Sequence, residues 1–258
     1  MPLLQAEDVQ VRFGGLIALD GARLVVEEGA ITGLIGPNGA GKTTMFNVIC
    51  GLQEHTRGNV FLDEREISKL KPHQRARRGI ARTFQRLEIF GSLTVFENVL
   101  MGAETKRRYS KEKFDPRAVA KSLLHTLGLQ GVADVRADAM PTGMARLVEL
   151  GRALATKPRI LLLDEPSSGL GDEESDAFAD LLLKLTAEGL GILLVEHDVG
   201  LVMRVCSRIF VLDFGRPIAE GTPEEIQAHP AVQAAYLGTP EAAEELPDAE
   251  AEEEGVPA

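Results

Sequence analysis

Residues Gly36-Pro37-Asn38-Gly39-Ala40-Gly41-Lys42-Thr43 separate an unbroken apolar run, ITGLI, from a segment of helical character, Lys42 to Cys50. Few local patterns restrict a chain so strongly. Glycines permit a tight loop whose backbone N–H groups face inward. The following helix contributes positive dipole at its N-terminus, so the loop suits an oxyanion such as a phosphate. The spacing is G-x-x-x-x-G-K-[ST], in the strand–loop–helix context the pattern requires. Lys42 would neutralise β- and γ-phosphate charge, Thr43 would offer its hydroxyl to Mg2+, and Thr44 would reach the α-phosphate. The backbone of Gly36, Pro37, Asn38, Gly39, Ala40 and Gly41 would form the cradle.

The rest of the chain supplies a framework for such a loop. Residues 3 to 35 read as short strands, including Leu24-Val25-Val26 and Ile31 to Ile35. Asn59 to Leu62 reads as a strand, Pro72 to Arg78 as a short helix, and Ile80 to Phe84 as strand-like. From Leu93 to Thr156 the strands give way to helices over Val95 to Met101, Pro116 to Leu127 and Gly143 to Ala155. In the last of these, Leu147, Leu150, Gly151 and Leu154 share a face, with Arg146, Glu149 and Arg152 expected to turn away. Strands return at Ile160 to Leu163, Ile192 to Val195 and Ile209 to Leu212. The helix Asp172 to Glu188 presents Phe178, Leu181, Leu182 and Leu185. Fully apolar strands alternating with helices predict a parallel sheet covered on both faces. The organisation expected is an α/β core over 1–86 and 158–238, a helical insertion over 87–157, and a tail over 239–258.

Two strand ends place chemistry beside the loop. Ile160-Leu161-Leu162-Leu163-Asp164-Glu165 carries two acids to the carboxyl edge of the sheet, where ligands bind. Asp164 suits the Mg2+ shell, and Glu165 suits the orientation or deprotonation of an attacking water. The next strand ends in Glu196-His197-Asp198. A lone histidine after a core strand is ordinarily structural, but here His197 would reach a γ-phosphate or its water. Gln85, between core and insertion, suits a residue that senses Mg2+ or water and relays that state to the helices. Phe13, in VRFGGL, fits a core position on spacing alone; beside a nucleotide site it would stack on adenine.

Composition mainly limits the surroundings. The net charge is −11, yet eight acids and no base lie between Glu241 and Ala258; without them 31 acids face 28 bases. The acidity therefore belongs to an Ala/Glu/Pro-rich tail, read as disordered. Cys50 and Cys206 form no C-x-x-C pair, which fits a reducing compartment. No apolar run reaches the roughly 20 residues of a membrane helix, and MPLLQAEDVQ lacks a signal-peptide pattern. A basic segment runs through Lys69, Lys71, Arg75, Arg77, Arg78, Arg82 and Arg86. Without interleaved aromatics or a reading element it does not indicate nucleic acid, and it reads as a solvated face, of use near anionic lipid.

The loop GPNGAGKTT, RTFQ, LLLDEP and EHD, in this order, resemble the ABC-type ATPase family over nearly the whole ordered chain. RFGGLIALDG, TVFENVLMG, EHDVGLVM and GTPEEIQAHPAVQAAYLG are more narrowly similar to the ATP-binding subunits of branched-chain amino-acid importers, and of urea and hydrophobic-amide importers. The resemblance implies a P-loop NTPase core with a mostly parallel sheet, an N-terminal antiparallel β subdomain and an inserted α-helical subdomain. It implies an ATPase that dimerises head to tail around two ATP molecules and works with transmembrane permease subunits at the cytoplasmic face of the membrane. An extracellular solute-binding protein would take part indirectly. Phe13 then matches the adenine-stacking aromatic, Gln85 the glutamine-loop residue, Glu165 the catalytic base and His197 the switch histidine.

Two stretches depart from the family pattern. The signature, usually close to L-S-G-G-Q, reads Met140-Pro141-Thr142-Gly143-Met144 and keeps only the glycine. The turn after Glu165, usually S-x-L-D, reads Ser168-Gly169-Leu170-Gly171, with Asp172 one place later. Both would face the partner's ATP. Loss of a serine hydroxyl from a γ-phosphate costs roughly 1.5–3 kcal/mol, or about tenfold to a hundredfold in rate. The Gly143 N–H and the Thr142 hydroxyl remain. The competing readings are a soluble ABC-type ATPase acting away from transport, and a nucleotide-sensing regulatory module with weak hydrolysis.

Overall fold

The computed structural model describes residues 2–237; the tail expected over 239–258 lies outside them. Two long strands, β1 (Pro2–Phe13) and β2 (Leu16–Glu27), pair antiparallel, with Phe13 opposite Leu16 at the tip. They are 12 residues each, longer than the short strands expected. With β4 (Arg57–Leu62) and β5 (Arg65–Glu66) they form an antiparallel sheet in the order β2-β1-β4-β5.

The second sheet runs β10-β9-β3-β8-β7-β6. Its members are β3 (Ile31–Ile35), β6 (Ile80–Arg82), β7 (Ile160–Asp164), β8 (Gly191–Val195), β9 (Arg208–Asp213) and β10 (Arg216–Gly221). All adjacent pairs are parallel except β9–β10. Side-chain alternation sorts each central strand onto two cores. Leu161, Leu163, Ile192, Leu194, Ile209 and Val211 join one, against α6 (Asp172–Ala187) and α7 (Val199–Val205). Ile160, Leu162, Leu193, Val195, Phe210 and Leu212 join the other, with the antiparallel sheet and α1 (Lys42–Cys50). Burial on both faces is why these strands read as continuous apolar runs.

Between β6 and β7 the chain forms α3 (Val95–Tyr109), α4 (Pro116–Thr126) and α5 (Thr142–Leu154). The short helix α2 (Pro72–Arg77) precedes them, and α8 (Pro223–Gln227) and α9 (Pro230–Leu237) end the described chain. Thr94 and Glu97 cap α3 reciprocally: Glu97 N–H donates to Thr94 Oγ1 at 3.1 Å and Thr94 N–H to Glu97 Oε2 at 2.8 Å. The helix runs beyond Met101 because Lys106, Arg107 and Arg108 suit the negative end of its dipole. α3 and α5 approach through glycine. A Cβ on Gly102 would collide with the Arg152 carbonyl and stand 2.9 Å from Ala155 Cβ. A Cβ on Gly151 would stand 2.8 Å from Leu127 Cδ1.

Gly102→Ala therefore forces these helices apart. We expect the unfolding free energy to fall by about 1–3 kcal/mol, the usual cost of overpacking. A urea or thermal midpoint unchanged from wild type would contradict this contact.

Candidate nucleotide site

The glycine loop sits between β3 and α1. Gly41, at the helix N-cap, has φ 101°, and a Cβ there would lie 2.7 Å from the Ala18 carbonyl oxygen. Only glycine meets both demands. Lys42 is buried and its Nζ donates to the carbonyls of Gly36 at 2.5 Å and Pro37 at 3.0 Å, so the ammonium lies across the loop. Burial lowers its pKa, and the charges of Glu165 and Asp164 oppose that shift. The first turn of α1 holds no acid, so its dipole is free to favour an anion. The Thr43 side chain is exposed and Thr44 half-buried. Phe13, at the hairpin tip, is 49% exposed. That hairpin is tied to the loop through the β9–β10 turn: Gly215 N–H donates to Ala40 O at 3.0 Å and Asp20 N–H to Gly215 O at 2.8 Å.

Asp164 closes β7 and is buried. Burial raises its carboxyl pKa, while the Arg82 guanidinium, 3.2 Å from Oδ2, works against the shift. Arg82 also donates to Asn47 Oδ1 of α1 at 2.8 Å and lies over the Phe84 ring at 4.4 Å. It joins α1 to β7. This corrects the reading of residues 69–86 as a solvated face. Arg75 departs further: it is 2% exposed and donates to the carbonyls of Val48, Ile49, Ser68 and Leu70, capping the C-terminus of α1. Lys69, Lys71, Arg77, Arg78 and Arg86 are exposed as expected.

Three adjacent strand ends meet at Glu165. Its Oε2 accepts from Gln85 Nε2 at 2.8 Å and its Oε1 lies 2.7 Å from His197 Nε2. A carboxylate oxygen accepts, so this contact places the proton on Nε2. Glu165 has φ 50°, a conformation that costs a residue with a Cβ about 1–3 kcal/mol, and its N–H donates to Val195 O at 2.8 Å. Glu196 supports the arrangement from beneath. It is buried; Oε1 accepts from Ser167 N at 2.7 Å and Oε2 from His197 N at 3.1 Å. Sequence reasoning passed over Glu196 and Arg82. The available signal was, for Glu196, an acid directly after a fully apolar strand, and, for Arg82, a base at the end of β6.

Pro141 is the N-cap of α5 and Thr142 its first residue, with no side-chain cap bond. Ala145 N–H donates to Pro141 O at 2.9 Å, so the helix starts normally without the Pro141 N–H. Gly143 is buried against α6: a Cβ there would stand 2.9 Å from Glu174 Oε1 and 3.0 Å from Leu170 Cδ2. Among the described residues, Pro141, Thr142 and Gly143 make no hydrogen bond to Lys42, Asp164 or Glu165. Behind them, Arg146, Glu149 and Arg152 overturn one expectation. Rather than turning away to water they reach the backbone of 84–88, and Glu149 is 2% exposed.

Residues 19–168 match the family described as ABC transporter, more than half of the chain. The chain belongs to the ABC transporter family. Residues 216–242 match a second family, the branched-chain amino acid ATP-binding cassette transporter. The high-affinity branched-chain amino acid transport ATP-binding protein BraF of Pseudomonas aeruginosa is 39% identical over 250 residues, covering 92% of this chain and 98% of BraF. The ADP conformation of MJ1267, an ATP-binding cassette of an ABC transporter, superposes with a TM-score of 0.81 at 31% identity, covering 93% of this chain and all of that one. The ATP-binding cassette MJ0796, dimeric and bound to ADP and Pi, gives a TM-score of 0.75 at 26% identity over 85% of this chain and 98% of its own. ABC ATPases bind ATP and ADP and act as dimers. The fold is the mixed α/β arrangement that the resemblance implied.

The buried acid beneath this ABC site makes a pH prediction. Burial raises the Glu196 pKa, and its N–H donors only partly offset this. The fold thus favours the neutral acid, a contribution present below the ordinary carboxylate range and lost as pH rises through the raised value. Glu196→Gln has no proton to lose. Its melting temperature, relative to wild type, should climb as pH rises above the ordinary carboxylate range. A difference that stays flat or declines would contradict the assignment.

Proposed function

We propose that this chain is the ATP-hydrolysing subunit that energises a membrane importer for branched-chain amino acids or related amides. The observation that carries the proposal is the Glu165 carboxylate, held by Gln85 and His197 beside Lys42 on a glycine loop. In this reading the loop N–H groups and Lys42 bind the β- and γ-phosphates, and Phe13 stacks on the adenine. Glu165 orients the attacking water and takes its proton, and His197 donates a hydrogen bond toward the γ-phosphate. The donors offered to Mg2+ are the Thr43 hydroxyl, the Asp164 carboxylate and the Gln85 amide oxygen. All are hard oxygens, and Mg2+ needs only one or two carboxylates when phosphates complete its shell. When bound, Mg2+ would supply charge neutralisation at the transferring phosphoryl group.

The proposed partners are transmembrane permease subunits and a second ATP-binding subunit, with an extracellular solute-binding protein acting through the permease. No helix among the described residues is long and apolar enough to cross a membrane, so the proposed place is peripheral, on the cytoplasmic face. A groove of about 800 Å³ between the core and residues 87–157, taken as the signature subdomain, suits a permease segment. Phe84, Ile89, Phe90 and Met101 line it beside Arg77 and Arg108. The exposed Phe90 and Met101 lie within Leu87 to Met101, the stretch beside Gln85 and our candidate docking surface. Phe90→Asp should release the permease during co-purification while leaving ATP binding intact. Retention of the permease at wild-type stoichiometry would remove the groove from this role.

The degenerate signature favours pairing with an unlike subunit. ATP on Lys42 and Glu165 would face an intact signature and turn over, whereas ATP against Pro141-Thr142-Gly143 would turn over slowly. In the reconstituted transporter, Glu165→Gln should lower ATP turnover by roughly a hundredfold or more while ATP binding persists. If most activity survives, both the base assignment and the asymmetric pair fail. A regulatory module with little hydrolysis draws on the same signature, but it leaves the fully furnished Glu165 without a task.

A further inference from the structure

Residues 83–90 link β6 to the helices and form neither helix nor strand. Their backbone groups still need partners, and α5 supplies several. Arg146 donates from Nη1 to Phe84 O at 3.0 Å and from Nη2 to Gln85 O at 2.8 Å. Glu149 Oε1 accepts from Phe84 N at 3.4 Å and Glu88 N at 3.3 Å. Arg152 donates to Glu88 O and lies over the Phe90 ring at 4.9 Å. Arg146 and Glu149 face each other at 3.7 Å, their side chains 10% and 2% exposed.

This is an unusual way to hold a loop. Apolar packing would secure α5 without placing a carboxylate and a guanidinium where water is scarce. What a buried ion pair adds is direction: its bonds fix which backbone atoms sit where. Gln85 lies inside the clasped stretch, its carbonyl held by Arg146 and its side chain bonded to Glu165. The same helix begins at Pro141-Thr142-Gly143, with Glu149 two turns further on. The opposite side of the clasp opens on the groove, which Phe84, Glu88, Glu149 and Arg152 all line. One rigid element thus touches the half-site offered to a partner, the glutamine segment, and the groove.

We propose that Arg146, Glu149 and Arg152 are positioning residues that set the Gln85 side chain against Glu165 from the signature helix. A shift of α5, or of a segment seated in the groove, then moves Gln85 relative to the base. The proposal rests on the ATPase reading above, in which Gln85 takes part in turnover.

A double-mutant cycle tests it in the full chain assembled with its membrane partners, with ATP turnover and the Kd of a fluorescent ATP analogue as readouts. Arg146→Met should lower kcat about tenfold, the size of one charge-assisted hydrogen bond. The Kd should stay within about twofold, because the phosphate loop is untouched. In a Gln85→Ala background, the same change should cost less than about twofold. Arg152→Met should follow the same pattern, and serves alone should Arg146→Met fail to fold. Two losses that multiply would show that α5 acts elsewhere than through Gln85. A folded Arg146→Met or Arg152→Met enzyme with wild-type kcat would also overturn the clasp. If Gln85→Ala itself leaves turnover unchanged, the assigned role of Gln85 fails, and the clasp fails with it.

Discussion

The parallel register of β6, β7 and β8 sets the site. Asp164 pairs with Val195, so β7 and β8 end level, while β6 stops short of them with Arg82 opposite Leu162. Gln85, Glu165 and His197 leave those ends on one side of the sheet, the side on which β3 runs into the glycine loop. The Glu165 carboxylate, directly after β7, can then accept at 2.7–2.8 Å from Gln85 and His197 in the segments that follow β6 and β8. Antiparallel neighbours would send alternate ends to opposite edges. The left-handed backbone at Glu165 is tolerated because its N–H is bonded to Val195 and the surrounding strands are wholly buried.

Buried ionisable side chains organise the support beneath the site. Asp164 with Arg82, Glu149 with Arg146, and Glu196 with the N–H groups of Ser167 and His197 are each costly to desolvate. Each also joins segments far apart in sequence. Arg82 ties β6 to α1 and β7, Glu149 ties α5 to the glutamine segment, and Glu196 ties the turn after β7 to the turn after β8. Apolar contacts would hold these pieces together but leave their relative positions loose by fractions of an ångström. Phosphoryl transfer depends on positioning and charge compensation, so such looseness is costly to the rate.

Much of this was legible in the residues. Helices over Lys42–Cys50 and Pro116–Thr126, and the core strands, follow from periodicity and from glycine and proline boundaries to within two residues. Lys42, Glu165, His197 and Gln85 could be named because each lies next to an apolar strand or a glycine run. Arg75 and Arg146 could not. A basic residue in a basic stretch, or on the polar side of an amphipathic helix, carries no local sign that its guanidinium will be enclosed by carbonyls. The polar side of α5 looks solvent-facing only while the segment 84–88, some sixty residues earlier, is left out.

By itself, the sequence determined the glycine loop, the type of most core elements, and which side chains stand at or just beyond the ends of the central strands. Short-range rules govern those features: period-two burial, glycine conformations and helix starts act within a few residues. Tertiary structure alone decided that Gln85, Glu165 and His197 bond to one another, that Arg75 and Arg82 are structural, and that α5 holds the glutamine segment. These outcomes depend on strand order and on helix approach at Gly102 and Gly151, where backbone groups remote in the chain become the nearest hydrogen-bond partners.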